Sequence, residues 1–339
     1  MIFAIFFVAF LFLLVLPFVP GIMELRHPQD SGALSINMDY SRDPRYFGNS
    51  FKGILKKALK TESLNQGTGQ ITLSKKETVE IVPTTKIPAG DNVDHLMVVT
   101  GNFISLDNVT LNKEIYVHGK ASLGKRNTLR ALAAEGKVSL ASKTRVIRWV
   151  DAEGEFMADR SCDLGWSISS GNRLKISPDC CFRRLYGMPV RTWDEGPEND
   201  VTDTDQECEE MGETAFISDK DWTVIPPGTK IDKTLIFKQN LRIKRYCVLD
   251  KDVKTYKKLI LEEGVRIKGN VFAENGITTG PLSRIFGDIF SQETIYLGKG
   301  SKIGRAGSTK SVVARGDIVL GRGVIIYGYV VAGKRGRIL

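Results

Sequence analysis

The stretch GKASLGKRNTLRALAAEGKVSL, residues 119–140, repeats its own opening, as GKASL at Gly119 and GKVSL at Gly136. Glycines follow at Gly154 and Gly171, so the glycine recurs about every 17–18 residues. We interpret a repeat of this length, built from short strands and turns, as one coil of a parallel β-helix. Each coil buries its inward side chains only against its neighbours, and several coils are needed for a stable core.

Apolar residues occupy the second and fourth places after each repeat glycine, and a strand places such alternate side chains on one face. The first-half pairs are Ala121 and Leu123, Val138 and Leu140, Phe156 and Ala158, and, slipped by one place, Leu174 and Ile176. The pattern recurs after Gly269, Gly316 and Gly328, and after Gly287 with Ser291 at the fourth place. A sandwich or barrel would favour Asn-Gly or Asp-Gly hairpin turns, and only Asn275-Gly276 fits that requirement. The repeats therefore favour an all-β, parallel β-helical class.

A longer duplication indicates two homologous halves. IPAGDNVDHLMVVTGNF from Ile87 aligns without a gap with IPPGTKIDKTLIFKQNL from Ile225. We expect an anchor over 1–23, a juxtamembrane segment over 24–84, a first β-helix half over 85–190 and a second over 222–335. The intervening residues 191–221 form an acidic insert, which is interpreted as a solvated loop.

The N-terminal segment contains no charged residue from Ile2 to Met23. About 22 residues at ~1.5 Å rise span ~33 Å as a helix, enough to cross a bilayer core. It has no basic region before the apolar run and no small-x-small cleavage site, which favours a retained transmembrane helix over a signal peptide. The predicted membrane-anchoring side chains are Phe6, Phe7, Phe10, Leu13, Leu14 and Leu16.

Charge and cysteine content predict the orientation. No Lys or Arg precedes the span, whereas Arg26, Arg42 and Arg45 follow it. Five cysteines without a C-x-x-C pair indicate a reducing compartment and neither a disulfide framework nor a zinc site. We expect a single-pass protein of a bacterial inner membrane with its body in the cytoplasm.

A basic amphipathic helix is predicted after Asp43-Pro44, which read as N-cap and first helical residue. One interpretation is a second contact with anionic lipid, and the other is a helix that caps the following β structure with the same apolar stripe. The membrane-surface interpretation involves Phe47, Phe51, Lys52, Ile54, Leu55, Lys56, Lys57 and Leu59.

Catalytic and cofactor motifs are sparse in this sequence. It has no G-x-S-x-G, Walker, G-x-G-x-x-G or H-E-x-x-H pattern. His118 could serve as the base of a β-helical acyltransferase, but sustained six-residue repeats are missing, and a solvent-facing strand histidine explains it better. No aromatic motif interleaves the basic residues as nucleic-acid binding requires. We expect no catalytic residues, metal or cofactor, and no nucleic-acid partner.

The openings GKVSL, IKGNVFA, IFGDIF and ARGDIVLG resemble the bactofilins, a family of polymer-forming bacterial cytoskeletal proteins. The resemblance implies a right-handed parallel β-helix that polymerises without nucleotide and acts as a membrane-associated platform for cell-envelope machinery. This chain departs from the usual family pattern in having two halves, an acidic insert and a membrane span. The alternative function is a non-polymerising accessory subunit of a membrane glycosyltransferase or export complex.

The C-terminal coil is predicted to mediate self-association. A β-helix exposes unpaired strand edges at its terminal coil, and VIIYGYVVAG from Val324 runs nearly to the C-terminus. Partners are therefore expected to be membrane lipid, other copies of the chain and a membrane protein of envelope biogenesis. The predicted self-association residues are Val324, Ile325, Ile326, Tyr327, Val330 and Val331.

Overall fold

The structure, a computed structural model, describes residues 43–61, 69–74, 77–194 and 216–339. These residues form an all-β parallel solenoid of about 13 coils, accompanied by one described helix, α1, over Tyr46–Thr61. No helix among the described residues is long and apolar enough to cross a membrane. The predicted anchor, with Phe6, Phe7, Phe10, Leu13, Leu14 and Leu16, lies outside the described residues.

Fifteen strands build the first half. They are β1 (Gly69–Ser74), β2 (Glu77–Val82), β3 (Thr85–Ile87), β4 (Asn92–Val93), β5 (Leu96–Val99), β6 (Phe103–Ser105), β7 (Thr110–Val117), β8 (Ala121–Leu123), β9 (Thr128–Ala134), β10 (Val138–Leu140), β11 (Arg145–Ala152), β12 (Phe156–Ala158), β13 (Ser167–Ser170), β14 (Leu174–Ile176) and β15 (Cys181–Thr192).

The second half begins with β16 at Ile217, inside the predicted acidic insert over 191–221, and β1 and β2 lie before the predicted start of the first half at residue 85. Its strands are β16 (Ile217–Ser218), β17 (Trp222–Ile225), β18 (Lys230–Ile231), β19 (Leu235–Phe237), β20 (Asn240–Ile243), β21 (Val248–Leu249), β22 (Val253–Thr255), β23 (Leu259–Leu261), β24 (Arg266–Ile267), β25 (Val271–Ala273), β26 (Ile277–Thr279), β27 (Arg284–Ile285), β28 (Ile289–Ser291), β29 (Ile295–Leu297), β30 (Lys302–Ile303), β31 (Lys310–Ala314), β32 (Ile318–Leu320) and β33 (Ile325–Ile338).

The predicted repeat pairs stack in register. Ala121, Val138, Phe156 and Leu174 form one buried column through β8, β10, β12 and β14. Leu123, Leu140, Ala158 and Ile176 form the column beside it, so the apparent slip at Leu174 and Ile176 does not alter the register. The predicted parallel β-helix, with one coil for each glycine repeat, is therefore confirmed. The period works because each inward residue gains its apolar neighbours from the coils above and below it.

A stacked column of glycines lines one corner of the first half, and it explains the repeat that opens the sequence. The amide of Gly136 donates to the carbonyl of Gly119, 3.1 Å away, and Gly154 donates to Gly136 at 3.3 Å. A Cβ added at Gly136 would lie 2.6 Å from the carbonyl oxygen of Gly119. Coils can approach closely at this corner because these residues carry no side chain.

We therefore expect Gly136→Ala to destabilise the fold by about 1–3 kcal/mol, because the new methyl group forces two backbones apart. Gly53→Ala in α1 is the matched control: its Cβ meets nothing within 4 Å. Replacing a helical glycine with alanine should instead stabilise by roughly 0.5–1 kcal/mol. Urea denaturation of both variants tests this, and equal effects would contradict the close approach of the coils.

The two halves meet through their last coils. β15 pairs with β33 in antiparallel orientation, whereas the strands within each half stack in parallel. Leu185 lies opposite Val330, and Val190 lies opposite Ile326. Each half therefore advances from its first coil toward the shared junction, and the two run in opposite directions along the axis.

One ladder of paired residues crosses this junction without interruption. It contains Thr85, Phe103, Ala121, Val138, Phe156, Leu174, Val190, Ile326, Ile303, Ile285, Ile267, Leu249 and Ile231. All members from Phe103 to Ile231 are buried, and both halves share one core cluster. The halves therefore form a continuous apolar interior.

This arrangement corrects the predicted self-association surface. The C-terminal residues Val324, Ile326, Tyr327 and Val330 are buried, and Ile325 and Val331 pair with Arg191 and Arg184 of the first half. The backbone groups of the C-terminal strand edge pair within the chain, because β15, in the last coil of the first half, has a matching strand edge. A free edge therefore does not exist at this position.

The outer ends of the solenoid are the first coils of both halves. A short antiparallel strand covers one side of each: β1 pairs with β2, and β16 pairs with β17. Within the described residues, β3, β4, β18 and β19 pair on one side only. These remaining open edges are two or three residues long, a length that limits edge-to-edge pairing.

Candidate functional site on the helix-covered face

α1 lies on one outer face of the first half. The strands below it are apolar on their outward side as well as their inward side, which is the pattern of strands buried on both faces. Leu55 is 1% exposed and packs with these residues, and Phe51 packs against the same cluster. The cluster contains Val79, Ile81, Leu96, Val98, Tyr116, Ala131, Ala133 and Trp149.

The position of α1 bears on the two interpretations of the helix, contact with lipid and coverage of the β structure. Phe51 and Leu55 contact the solenoid, so their predicted membrane-surface role is wrong, and α1 covers a lateral face instead of capping an end. Lys52 pairs with glutamates of the solenoid. Phe47, Ile54 and Lys57 are exposed. The side chains of Lys56 and Leu59 lie outside the described part of the chain.

Aromatic rings hold the first two turns of α1 in place. Phe47 stacks on Trp149 with centroids 6.4 Å apart and an interplanar angle of 13°. Phe51 meets Trp149 and Tyr116 edge-on, at 5.8 Å and 6.5 Å. Aromatic pairs of these geometries add stabilisation beyond the area that they bury.

Polar contacts are made by Arg45, the residue before α1, and by Lys52 within the helix. Arg45 donates two hydrogen bonds of 2.8 Å to the two carboxylate oxygens of Asp151, which also accepts a 2.7 Å bond from Ser169. About two helical turns further on, Lys52 pairs with Glu135 at 3.0 Å and with Glu153. Bidentate Arg–carboxylate pairs define orientation as well as adding free energy.

The pKa values of the Lys52–Glu135–Tyr116 cluster reflect its pairing. Desolvation opposes ionisation of Glu135, but hydrogen bonds from Tyr116 and Lys52 outweigh it and hold its pKa below the ordinary value. Burial lowers the pKa of Lys52, yet its bonds to Glu153 and Glu135 leave it raised overall. Burial and the bond to Glu135 raise the pKa of the Tyr116 hydroxyl.

These shifts predict the pH dependence of helix docking. Because the pKa of Glu135 is depressed in the folded protein, its ionisation stabilises the docked state above pH 4.5, the ordinary pKa. This stabilisation is lost as pH falls through the folded-state pKa. Because the pKa of Lys52 is raised, its protonated form stabilises the docked state below pH 10.5, the ordinary pKa. This stabilisation is lost as pH rises through the folded-state pKa. We expect acidification below pH 4.5 to shift the tryptophan emission of the protein as α1 loosens, because Trp149 loses its contacts with Phe47 and Phe51. Glu135→Gln should reduce the acid-dependent change, while the Asp151 and Glu153 carboxylates still pair with Arg45 and Lys52. An unchanged transition in that variant would contradict the assignment.

The opposite side of α1 borders an exposed cationic and aromatic surface, here named the arginine–tryptophan rim: Phe47, Ile147, Arg148, Trp166, Arg183 and Arg184. A groove of about 370 Å³ is lined by Phe47, Arg148, Trp149, Trp166, Ser167 and Arg184. Trp166 is 58% exposed, and the Arg183 guanidinium lies 4.8 Å from its ring centroid.

The rim is built where coil corners stack beside the helix. The register of β11 shifts between Val146 and Trp149, and this irregularity brings Ile147 and Arg148 outward. The Trp166 amide donates to the carbonyl of Arg148 in the preceding coil. Sequence reasoning missed Ile147, Trp166, Arg183 and Arg184, because they lie at a corner whose position depends on this shift.

His118, considered above as a catalytic base, lies beside the polar contacts of α1. Its Nδ1 is 3.4 Å from a carboxylate oxygen of Glu135, and its ring meets Tyr116 edge-on at 5.0 Å. Among the residues that the structure describes, no group of three or more His, Cys, Asp or Glu side chains is arranged to hold a metal ion. The contacts of His118 are therefore those of the helix-docking cluster.

Comparison of the chain with known protein families, with curated proteins and with solved structures finds no match. The class defined here is that of the parallel β-solenoids, and its candidate functional surfaces are the helix-covered face, the rim and the first-coil ends.

Proposed function

We propose that this chain is a non-enzymatic scaffold of the bactofilin type, tethered by its N-terminal segment to a bacterial inner membrane with its body in the cytoplasm. The observation that carries the proposal is the unbroken ladder from Thr85 through Val190 and Ile326 to Ile231. Its twelve inter-strand steps at about 4.8 Å give a stiff body nearly 60 Å long. Such a body suits the spacing and positioning of cell-envelope machinery.

Self-association belongs, in this proposal, to the two first-coil ends. Ile217 of β16 and Ile236 of β19 are 66% and 61% exposed there, beside the open edges of β18 and β19. Because both ends of the body are first coils, every end-to-end contact joins a first coil to a first coil.

A second function has its own support. The C-terminal edge is occupied within the chain, and β1 and β16 cover part of each outer end. Such protected ends favour a non-polymerising accessory subunit of a membrane glycosyltransferase or export complex.

Light scattering on the full chain in detergent, over a range of concentrations, tests the scaffold proposal. Mass should rise with concentration, and Ile217→Glu combined with Ile236→Glu should prevent growth beyond a dimer by placing charge at the second-half end, because the first-half end is left unchanged. Leu282→Asn is the control, since Leu282 is equally apolar and 56% exposed but lies on a lateral corner. A constant monomer mass, with a single hetero-adduct after crosslinking in native membranes, would instead support the accessory subunit.

A further inference from the structure

From the rim beside α1, we infer that this side of the first half docks on anionic membrane lipid, with Trp166 and Phe47 entering the headgroup region and Arg183 and Arg184 contacting phosphates. The inference rests on the proposed function, because it specifies how a membrane-tethered body meets its membrane. It concerns a surface that is formed by the folded solenoid and is separate from the N-terminal segment.

The first argument is the combination of exposed apolar and cationic side chains. Phe47, Ile147 and Trp166 are 41%, 44% and 58% exposed, although each could bury substantial apolar area. Tryptophan and arginine side chains favour the membrane–water interface, where the ring is partly apolar and the guanidinium meets headgroups. A soluble anion would be bound by the arginines alone and would leave the apolar side chains in water.

The second argument is geometric continuity. Ile54 is 55% exposed and lies two helical turns after Phe47, so both side chains project from the same side of α1. Together with the corner residues, they extend the exposed surface along the first half.

Charge is the third argument. Arg183 and Arg184 are both exposed, and Arg183 contacts Trp166 and the carbonyl of Gly333. Arg148 and the neighbouring Arg130 share Glu114, so one carboxylate offsets part of the positive charge. The remaining excess is cationic and complements an anionic leaflet.

Chain length supplies the fourth argument. The predicted anchor ends at Met23, and α1 begins at Tyr46. A short tether of this kind holds the rim at a high local concentration near the bilayer, so individually weak lipid contacts suffice for docking.

An environment-sensitive fluorophore provides the test, on the full chain reconstituted in vesicles. A cysteine introduced as Ser167→Cys in the groove carries an NBD label, in a background with Cys181→Ser and Cys208→Ser. The matched control is Ser122→Cys, an exposed position in β8 on another face. We expect NBD emission at position 167 to rise roughly threefold in phosphatidylcholine vesicles when phosphatidylglycerol is added, and to stay constant at position 122.

Arg183→Glu with Arg184→Glu should abolish this rise, whereas Arg183→Lys with Arg184→Lys should retain most of it. Equal emission with and without phosphatidylglycerol, in protein that still floats with the vesicles, would overturn the docking inference alone. Failure to float would overturn the membrane-tethered function itself. An equal response to soluble heparin would assign the rim to a polyanion and also overturn lipid docking.

Discussion

Val330→Asp is expected to destabilise the protein by about 3–5 kcal/mol, because it places an unpaired charge where two apolar columns meet. Val330 is fully buried, and it lies between Leu185 of the first half and Val312 of the second. Urea denaturation, followed by circular dichroism, measures the loss. Amide exchange should increase first in β15 and β33, since their pairing joins the halves.

Val331→Asp is the matched control for this prediction. It changes the adjacent residue of the same strand to the same side chain, but Val331 projects from the opposite side and lies opposite Arg184. We expect a change within about 0.5 kcal/mol. Similar losses in both variants would show that β33 is not buried against the first half.

Asp151→Ala is expected to release α1 from the solenoid, at a cost of about 2–3 kcal/mol to the docked state. Asp151 has 6% side-chain exposure, accepts both Arg45 bonds and accepts a third from Ser169. Its loss leaves the guanidinium of Arg45 without this partner beside an apolar face. Hydrogen exchange over residues 46–61 should accelerate, while exchange in β17 to β32 should stay unchanged.

Glu155→Ala serves as the comparison for Asp151→Ala. Glu155 also pairs with an arginine, Arg173, at 3.0 Å, but both side chains are about one-third exposed. Exposed ion pairs contribute roughly 0–1 kcal/mol, so this variant should leave exchange in α1 unaltered. If Asp151→Ala had no larger effect than Glu155→Ala, the account of helix docking would be wrong.

The coil period could be predicted from the sequence because close packing imposes it directly. Gly119, Gly136 and Gly154 stack on one another, so their spacing is the length of a coil. The alternation around Val138 and Phe156 predicted the inward columns for the same reason. These are local consequences of repetition.

The junction could not be predicted in this way. The apolar run from Val324 is consistent with any exposed strand edge, and an edge can pair with another copy, with a cap or with a distant strand of its own chain. Only the tertiary structure shows that Ile326 meets Val190. Similarly, the stripe containing Phe51 and Leu55 has the same helical spacing whether it covers lipid or a sheet.

The most direct test of the central claim, that the two halves stack last coil to last coil, is a distance between their first coils. Spin labels at Lys86→Cys and Thr234→Cys, with Cys181 and Cys208 replaced by serine, place one exposed label near each end. Twelve inter-strand steps of about 4.8 Å predict a separation near 58 Å by double electron–electron resonance. A separation near 34 Å, about seven such steps, would mean that the second half stacks by its first coil on the end of the first, and would contradict the account.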